Sequence, residues 1–217
     1  MVDPRGGEGG LGAEVSPPKV HAFRISEYVE GSSNNKAIEL HASEASTLDG
    51  CQLDFYFNGG FEPAAVKLEG HVPAGQAYVV CTEELGVQIT PRCARVASLR
   101  FNGNDAVSLA CDGVILDTIG KVGDDPGKGW GSGDTMTVDH TLRRRCDAAP
   151  EPTLNDDFDP ALGWESFPVD SFEDLGRHVC PPDEGEGGAP GHDGHAGFAG
   201  EASGAAGEAG AMSVELE

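Results

Sequence analysis

Between residues 20 and 180 the apolar positions come in short runs that alternate with polar ones, and turn residues bound each run. In His21 to Val29, Phe23 and Ile25 fall on one face of an extended chain before the alternation becomes mixed. Lys36 to Leu40, Cys51 to Phe57, Val66 to Leu68 and Tyr78 to Cys81 follow, each flanked by Gly, Pro, Asn or Asp. Ala106 to Ala110 and Val114 to Ile119 are joined by Cys111-Asp112-Gly113, which predicts a tight hairpin, and Thr141 to Arg145 closes the series. Helical periodicity is confined to one turn at Glu83 to Val87, and the Gly-rich stretch from Gly120 to Gly133 reads as a loop. About seven to nine short strands predict an all-β fold, a β-sandwich.

Composition sets the boundaries. Residues 181–217 carry eight acidic residues and no Lys or Arg, and eighteen of the 37 positions are Gly or Ala. Such a stretch cannot bury enough apolar surface to offset its chain entropy, which predicts a disordered acidic tail. Residues 1–19, with GGEGGLG and Ser16-Pro17-Pro18, predict a disordered N-terminal arm, leaving one domain of ordinary size at residues 20–180. Of the formal charge of −23, the tail carries −8 and the arm −1, so the domain holds −14. That field repels phosphate backbones and anionic membranes, which disfavours nucleic-acid binding and favours cations or basic surfaces.

All six cysteines lie between residues 51 and 180, with no CxxC and no Cys/His spacing that completes a zinc site. An even number confined to the folded part predicts three disulfides and an oxidising compartment: extracellular, cell surface or periplasmic. Reduced, buried cysteines in a cytosolic chain are the alternative. Met1-Val2-Asp3-Pro4 opens no signal peptide, so an exported form implies an export signal outside this sequence. No run of residues is long and apolar enough to predict a transmembrane segment.

Ile25-Ser26-Glu27-Tyr28-Val29-Glu30-Gly31-Ser32, Asn35 to Leu40, Phe101-Asn102-Gly103-Asn104-Asp105-Ala106, Asp117, Ile119-Gly120, Asp125-Pro126-Gly127, Trp130-Gly131, Thr141-Leu142-Arg143-Arg144, Phe158-Asp159-Pro160, Trp164 and Leu175 to His178 follow one another in order. This series resembles the lamin-tail domain superfamily, in particular its bacterial secreted branch and the module at the N-terminal end of extracellular endonucleases. The resemblance spans residues 20–180 and implies an immunoglobulin-like sandwich. The chain departs from the pattern at Asn104, where an acid is common, and in its cysteine pairs. Within the sequence, residues 181–217 that follow the module are the acidic tail and carry no nuclease motif.

The same residues make physical sense on their own. Asn-Gly and Asp-Gly supply the positive backbone angles of tight turns. Trp130 and Trp164 are each expected to plug a loop onto the core. Arg143 and Arg144 alternate faces on a strand, so one is expected to pair with a loop carboxylate such as Asp125 while the other meets solvent. For these residues, as for Phe101, Asn102, Gly103, Asp105, Pro126 and Gly127, a structural role outweighs a ligand role. Among the fifteen possible pairings of six cysteines, Cys81–Cys93 closes the shortest loop, of eleven residues. Cys146–Cys180 would tie the last hairpin strand to the final segment, leaving Cys51 with Cys111. Each bridge would stabilise the fold by about 2–4 kcal/mol.

Catalytic motifs are missing: there is no HExxH, GxSxG or Walker loop, and the glycines around Trp130 do not make GxGxxG. This argues against an enzyme and against a bound cofactor. Asn155, Asp157 and Asp159 share the 1-3-5 spacing of a calcium loop, but Pro160 replaces the Gly and Ser166 the bidentate Glu, which makes a solvated acidic turn the better reading. The sequence therefore predicts a non-catalytic secreted or surface module for adhesion, targeting or scaffolding, with a protein or surface polymer as partner. An accessory domain of a secreted nuclease or phosphoesterase and a carbohydrate- or calcium-dependent surface binder are the alternatives. Partner and oligomeric state are left open.

Overall fold

The computed structural model describes Lys19, residues 21–89 and residues 92–180; the tails expected at both ends lie, Lys19 apart, outside the described residues. The described elements run β1 (Phe23–Glu30), β2 (Lys36–Ala42), β3 (Ser46–Thr47), β4 (Cys51–Tyr56), β5 (Ala64–Lys67), β6 (His71–Val72), β7 (Ala77–Cys81), α1 (Glu83–Ile89), β8 (Cys93–Val96), β9 (Ala106–Cys111) and β10 (Val114–Ile119). They continue as β11 (Gly131–Ser132), β12 (Thr135–Met136), β13 (His140–Arg144) and β14 (Trp164–Pro168). One sheet has the order β14-β13-β1-β2-β7-β8 and the other β10-β9-β4-β5; two-stranded β11-β12 and β3-β6 pairs stand beside them. The expected all-β sandwich is the observed one. Ten strands make up the two principal sheets, with β8 and β14 added to those the alternation marks.

Both sheets turn apolar side chains into a shared core. Ile25, Tyr28, Ile38, Leu40, Val80 and Leu142 come from the larger sheet, and Leu53, Phe55, Val107, Leu109 and Ile119 from the smaller. Phe101 enters from a loop, its ring stacked on Phe55 with centroids 5.6 Å apart and tilted against Tyr28 at 4.9 Å. The predicted hairpin joins β9 to β10 through Asp112 and Gly113, since Cys111 pairs with Val114. Both loop residues have positive φ, +47° and +81°, as a two-residue hairpin that matches the strand twist requires.

The mixed alternation in β1 has a structural cause. Ile25 faces Leu40 and Glu27 faces Glu39, so Ser26 is an extra residue on β1, a β-bulge. One inserted residue exchanges the two faces of everything after it. Phe23, Ile25 and Tyr28 consequently face the main core, whereas Val29 joins a second cluster with Ala37, Val79, Cys81, Leu85, Ile89 and Leu175. That cluster lies on the outer face of the larger sheet, under α1 and the segment carrying Phe172 and Leu175.

The three disulfides are those expected: Cys51–Cys111, Cys81–Cys93 and Cys146–Cys180. Cys51 and Cys111 are directly paired on β4 and β9, within the smaller sheet. Cys81–Cys93 links β7 to the parallel β8, and its loop holds α1. Among the described residues no helix is long and apolar enough to cross a membrane.

Candidate functional site: the arginine strand and its cleft

Strand β13 places its arginines on opposite faces, as alternation dictates. Arg144 turns inward and is buried, with its guanidinium 4.3 Å from the Trp164 ring on β14. Its Nη2 donates to both oxygens of Asp117 on β10, at 2.8 and 2.6 Å. Nη1 donates to Ala149 O at 2.8 Å and Nε to Ile25 O at 2.7 Å. Asp117 is fully buried and also accepts from the amides of Ile25, Thr118 and Glu151 at 2.7, 3.0 and 2.8 Å. Burial pushes the Asp117 carboxyl above its ordinary value, and the arginine and the three amides pull the other way.

Arg143 turns outward onto a row of carboxylates. Its Nε lies 3.3 Å from Glu27, Nη1 2.8 Å from Asp174 and Nη2 3.7 Å from Glu173, while the guanidinium sits 4.0 Å over the Phe167 ring. Glu27 neighbours Glu39 directly across β1 and β2. Glu39 is held in turn by the Ser26 hydroxyl at 2.6 Å and the Gly176 amide at 2.6 Å. Burial, reinforced by the Glu39 charge, raises the Glu27 carboxyl to about 8 despite Arg143.

The expected pairing of an arginine with Asp125 is therefore corrected, and so is the expectation that the other arginine meets solvent. Asp125 Oδ1 accepts instead from Asn104 Nδ2 at 2.9 Å and from the Gly127 amide at 2.8 Å, which fastens the Asp125-Pro126-Gly127 turn to the Phe101–Asp105 loop. The acid that Arg144 reaches is Asp117, because β10 packs against β1, where Asp117 also takes the Ile25 amide. Arg143 is only 16% exposed at its side chain, since Phe167 and three acids enclose it.

The remaining motif residues lock loops. Asp105 accepts from the amides of Asn58 and Asn102 at 2.8 and 3.1 Å. Gly103 O accepts from the Thr137 hydroxyl at 2.5 Å, whose oxygen accepts from the Trp130 amide at 2.8 Å. Trp130 is buried, edge-on to Phe158, and packs onto Gly120, so it plugs a loop as expected. Trp164 instead begins strand β14, buried in the main core against Arg144, which corrects the expectation for it. Asp157 pairs with Lys121 at 2.6 Å and Asp159 accepts from the Ala161 amide at 3.0 Å. Of the spaced trio, two members are thus turned to protein partners. Among the described residues, the groups of His, Cys and acidic ligand atoms close enough to hold a metal are His21–Cys51–Cys111 and Cys146–His178–Cys180, each containing a disulfide.

A cleft of about 280 Å³ opens beside the arginine strand, with Glu27, Arg143, Arg145, Cys146, Asp174 and His178 among its walls. Burial, with the Arg24 charge next, lowers the His178 imidazole to about 4, so it is neutral at physiological pH. A wider cleft of about 500 Å³ follows the β8 edge past Asn34, Glu84, Val96 and Arg100. The histidine hydrogen bonds run to backbone carbonyls, Asp112, Arg24 and disulfide sulfurs, so no imidazole among the described residues activates a serine or threonine hydroxyl. Sequence reasoning missed the buried carboxylates Glu27, Glu30 and Glu39 and the buried Lys36 that pairs with Glu30. Their signal was charge three positions apart within short strands that otherwise carry apolar residues for the core, Glu27 and Glu30 on β1 and Lys36 and Glu39 on β2. No family model, no curated protein and no solved structure matches the chain.

Proposed function

We propose that the chain is a non-catalytic module of lamin-tail type from the bacterial secreted branch, working outside the cell or at its surface in adhesion, targeting or scaffolding. One observation carries the reading: the arginines and acids of the motif are turned onto one another and onto backbone groups, as Arg144, Asp117 and Asp105 are. Groups held this way stabilise a scaffold and leave little chemistry for a substrate. Three disulfides in so small a domain suit an oxidising compartment. The charge of the domain suits a basic partner surface.

The test uses the whole chain, oxidised. Labelled protein is expected to bind intact cells of its source saturably, to be displaced by unlabelled protein, and to leave DNA with magnesium unhydrolysed. Turnover of DNA by the chain alone, or a surface binding that no excess of unlabelled chain displaces, overturns the reading. Binding restricted to a glycan array in the presence of calcium replaces it with a lectin-like one.

A further inference from the structure

The three disulfides differ in what surrounds them. Cys51 and Cys111 are each 2% exposed, and Cys81 is fully buried. Cys146 is exposed, at the wall of the 280 Å³ cleft, and Cys180 is half-buried behind it. Arg24 points its Nη2 at Cys180 Sγ, 3.6 Å away, and the same nitrogen lies 2.9 Å from His178 Nε2. His178 Nε2 is itself 3.3 Å from Cys180 Sγ. A guanidinium beside a sulfur stabilises its thiolate, and a stabilised thiolate is the better leaving group.

We propose that Cys146–Cys180 is a site of thiol–disulfide exchange, opened from Cys146 by a low-molecular-weight thiol. The thiolate of that reagent attacks the exposed Cys146 Sγ along the S–S axis. A bond forms between the two sulfurs, the Cys146–Cys180 bond breaks, and its electron pair leaves with Cys180 Sγ. Arg24 holds the thiolate so formed, with His178 beside it. A second molecule of reagent then attacks the mixed disulfide, leaving Cys146 as a thiolate and releasing the oxidised reagent, so that two thiols are oxidised for one bridge reduced. Attack in the opposite sense is disfavoured twice over, because Cys180 is the less exposed residue and the guanidinium contact lies at its sulfur, while the contact of Cys146 Sγ is the carbonyl of Val179. Cys51–Cys111 is shielded from the same chemistry by burial. In Cys81–Cys93 only the half-buried Cys93 can be reached, so attack there would expel the thiolate of Cys81 into an apolar cluster that disfavours it.

Glutathione is the probe. The native chain is exposed to it without denaturant, quenched in acid, alkylated and mapped by peptide mass. The Cys146–Cys180 bridge is expected to open at least about tenfold faster than either of the others. Glutathione should be found on Cys146 and the alkyl label on Cys180. Arg24→Gln is expected to slow the opening by about tenfold, and Arg24→Lys to restore it to within about threefold. Three bridges opening at one rate, or glutathione residing on Cys180, overturns the proposal, and both of these are read on the unsubstituted chain. A folded Arg24→Gln protein that opens at the original rate overturns the role of Arg24.

Discussion

Arg144 and Asp117 complete the β1 ladder at Ile25: the Arg144 Nε donates to Ile25 O at 2.7 Å, and Asp117 Oδ2 accepts from Ile25 N at 2.7 Å. Pairing of β1 with β13 ends at Glu27–Arg143, where the bulge begins. Two side chains then satisfy the backbone groups that the ladder leaves over, at a residue that is itself fully buried. The ion pair is thus part of the sheet.

Replacing one partner should therefore be costly. Asp117→Asn leaves Arg144 buried without a counter-charge and is expected to destabilise the fold by about 3–5 kcal/mol. Urea unfolding with the disulfides intact reads this as a lower midpoint at unchanged slope. Combined with Arg144→Met, it is expected to cost clearly less than the sum of the single changes. Strict additivity would show that the two do not act as a pair.

The Glu27 carboxyl titrates at about 8 in the fold against 4.5 in a free chain. Its contribution to stability is full below 4.5, declines as pH rises because only the unfolded chain releases the proton, and is gone above about 8. Glu39, raised by burial, acts in the same direction. His178, lowered from 6.5 to about 4, acts in the opposite one: its contribution is present above 6.5 and lost as pH falls toward 4. Between pH 6.5 and 8 the carboxylates dominate. Unfolding free energy should fall across that interval in the native sequence and flatten in Glu27→Gln.

The bridges should differ in thermodynamic weight. Cys51–Cys111 closes a separation of 60 residues and Cys81–Cys93 one of 12. Loop-closure entropy then gives about 4 kcal/mol to the first and about 3 kcal/mol to the second. Paired Cys→Ala substitutions, compared by denaturation, check the order. A larger loss from the Cys81–Cys93 pair would mean that native packing around α1 outweighs chain entropy.

Gly120 has φ +79°, and a Cβ there would lie 2.6 Å from Trp130 Nε1. Gly120→Ala is accordingly expected to cost at least ~2 kcal/mol and to push the indole outward. Trp130 and Trp164 are the two tryptophans of the chain. In a Trp164→Phe background the substitution should shift the remaining emission to the red. An unmoved spectrum would mean that Trp130 keeps its seat.

Much of the scaffold was legible in the chain. The β9–β10 hairpin was readable because Asp112-Gly113 supplies both the turn residues and the spacing, and the cysteine pairs followed from loop length and strand assignment. Strand β8 was not readable: Cys93 to Val96 is short, runs parallel to β7 and alternates too briefly to stand out. Strand β14 was hidden because Trp164 also fits a loop plug. The partner of Arg144 lay beyond sequence reach, since 37 acidic residues offer many choices and the answer depends on which loop crosses β1. The buried acids of β1 and β2 were masked by the bulge at Ser26, which changes the inward-facing set halfway along a strand.

The bridge between Cys146 and Cys180 also decides how the domain bears tension. A pull on the chain at Cys180 passes through sulfur to Cys146 and enters the larger sheet beside β13, so β14, an edge strand that would otherwise unzip rung by rung, carries none of the load. With the bridge opened, the load reaches β14 first, and once that strand has peeled from β13 the segment from Cys146 to Cys180, a separation of 34, could extend to roughly 110–120 Å.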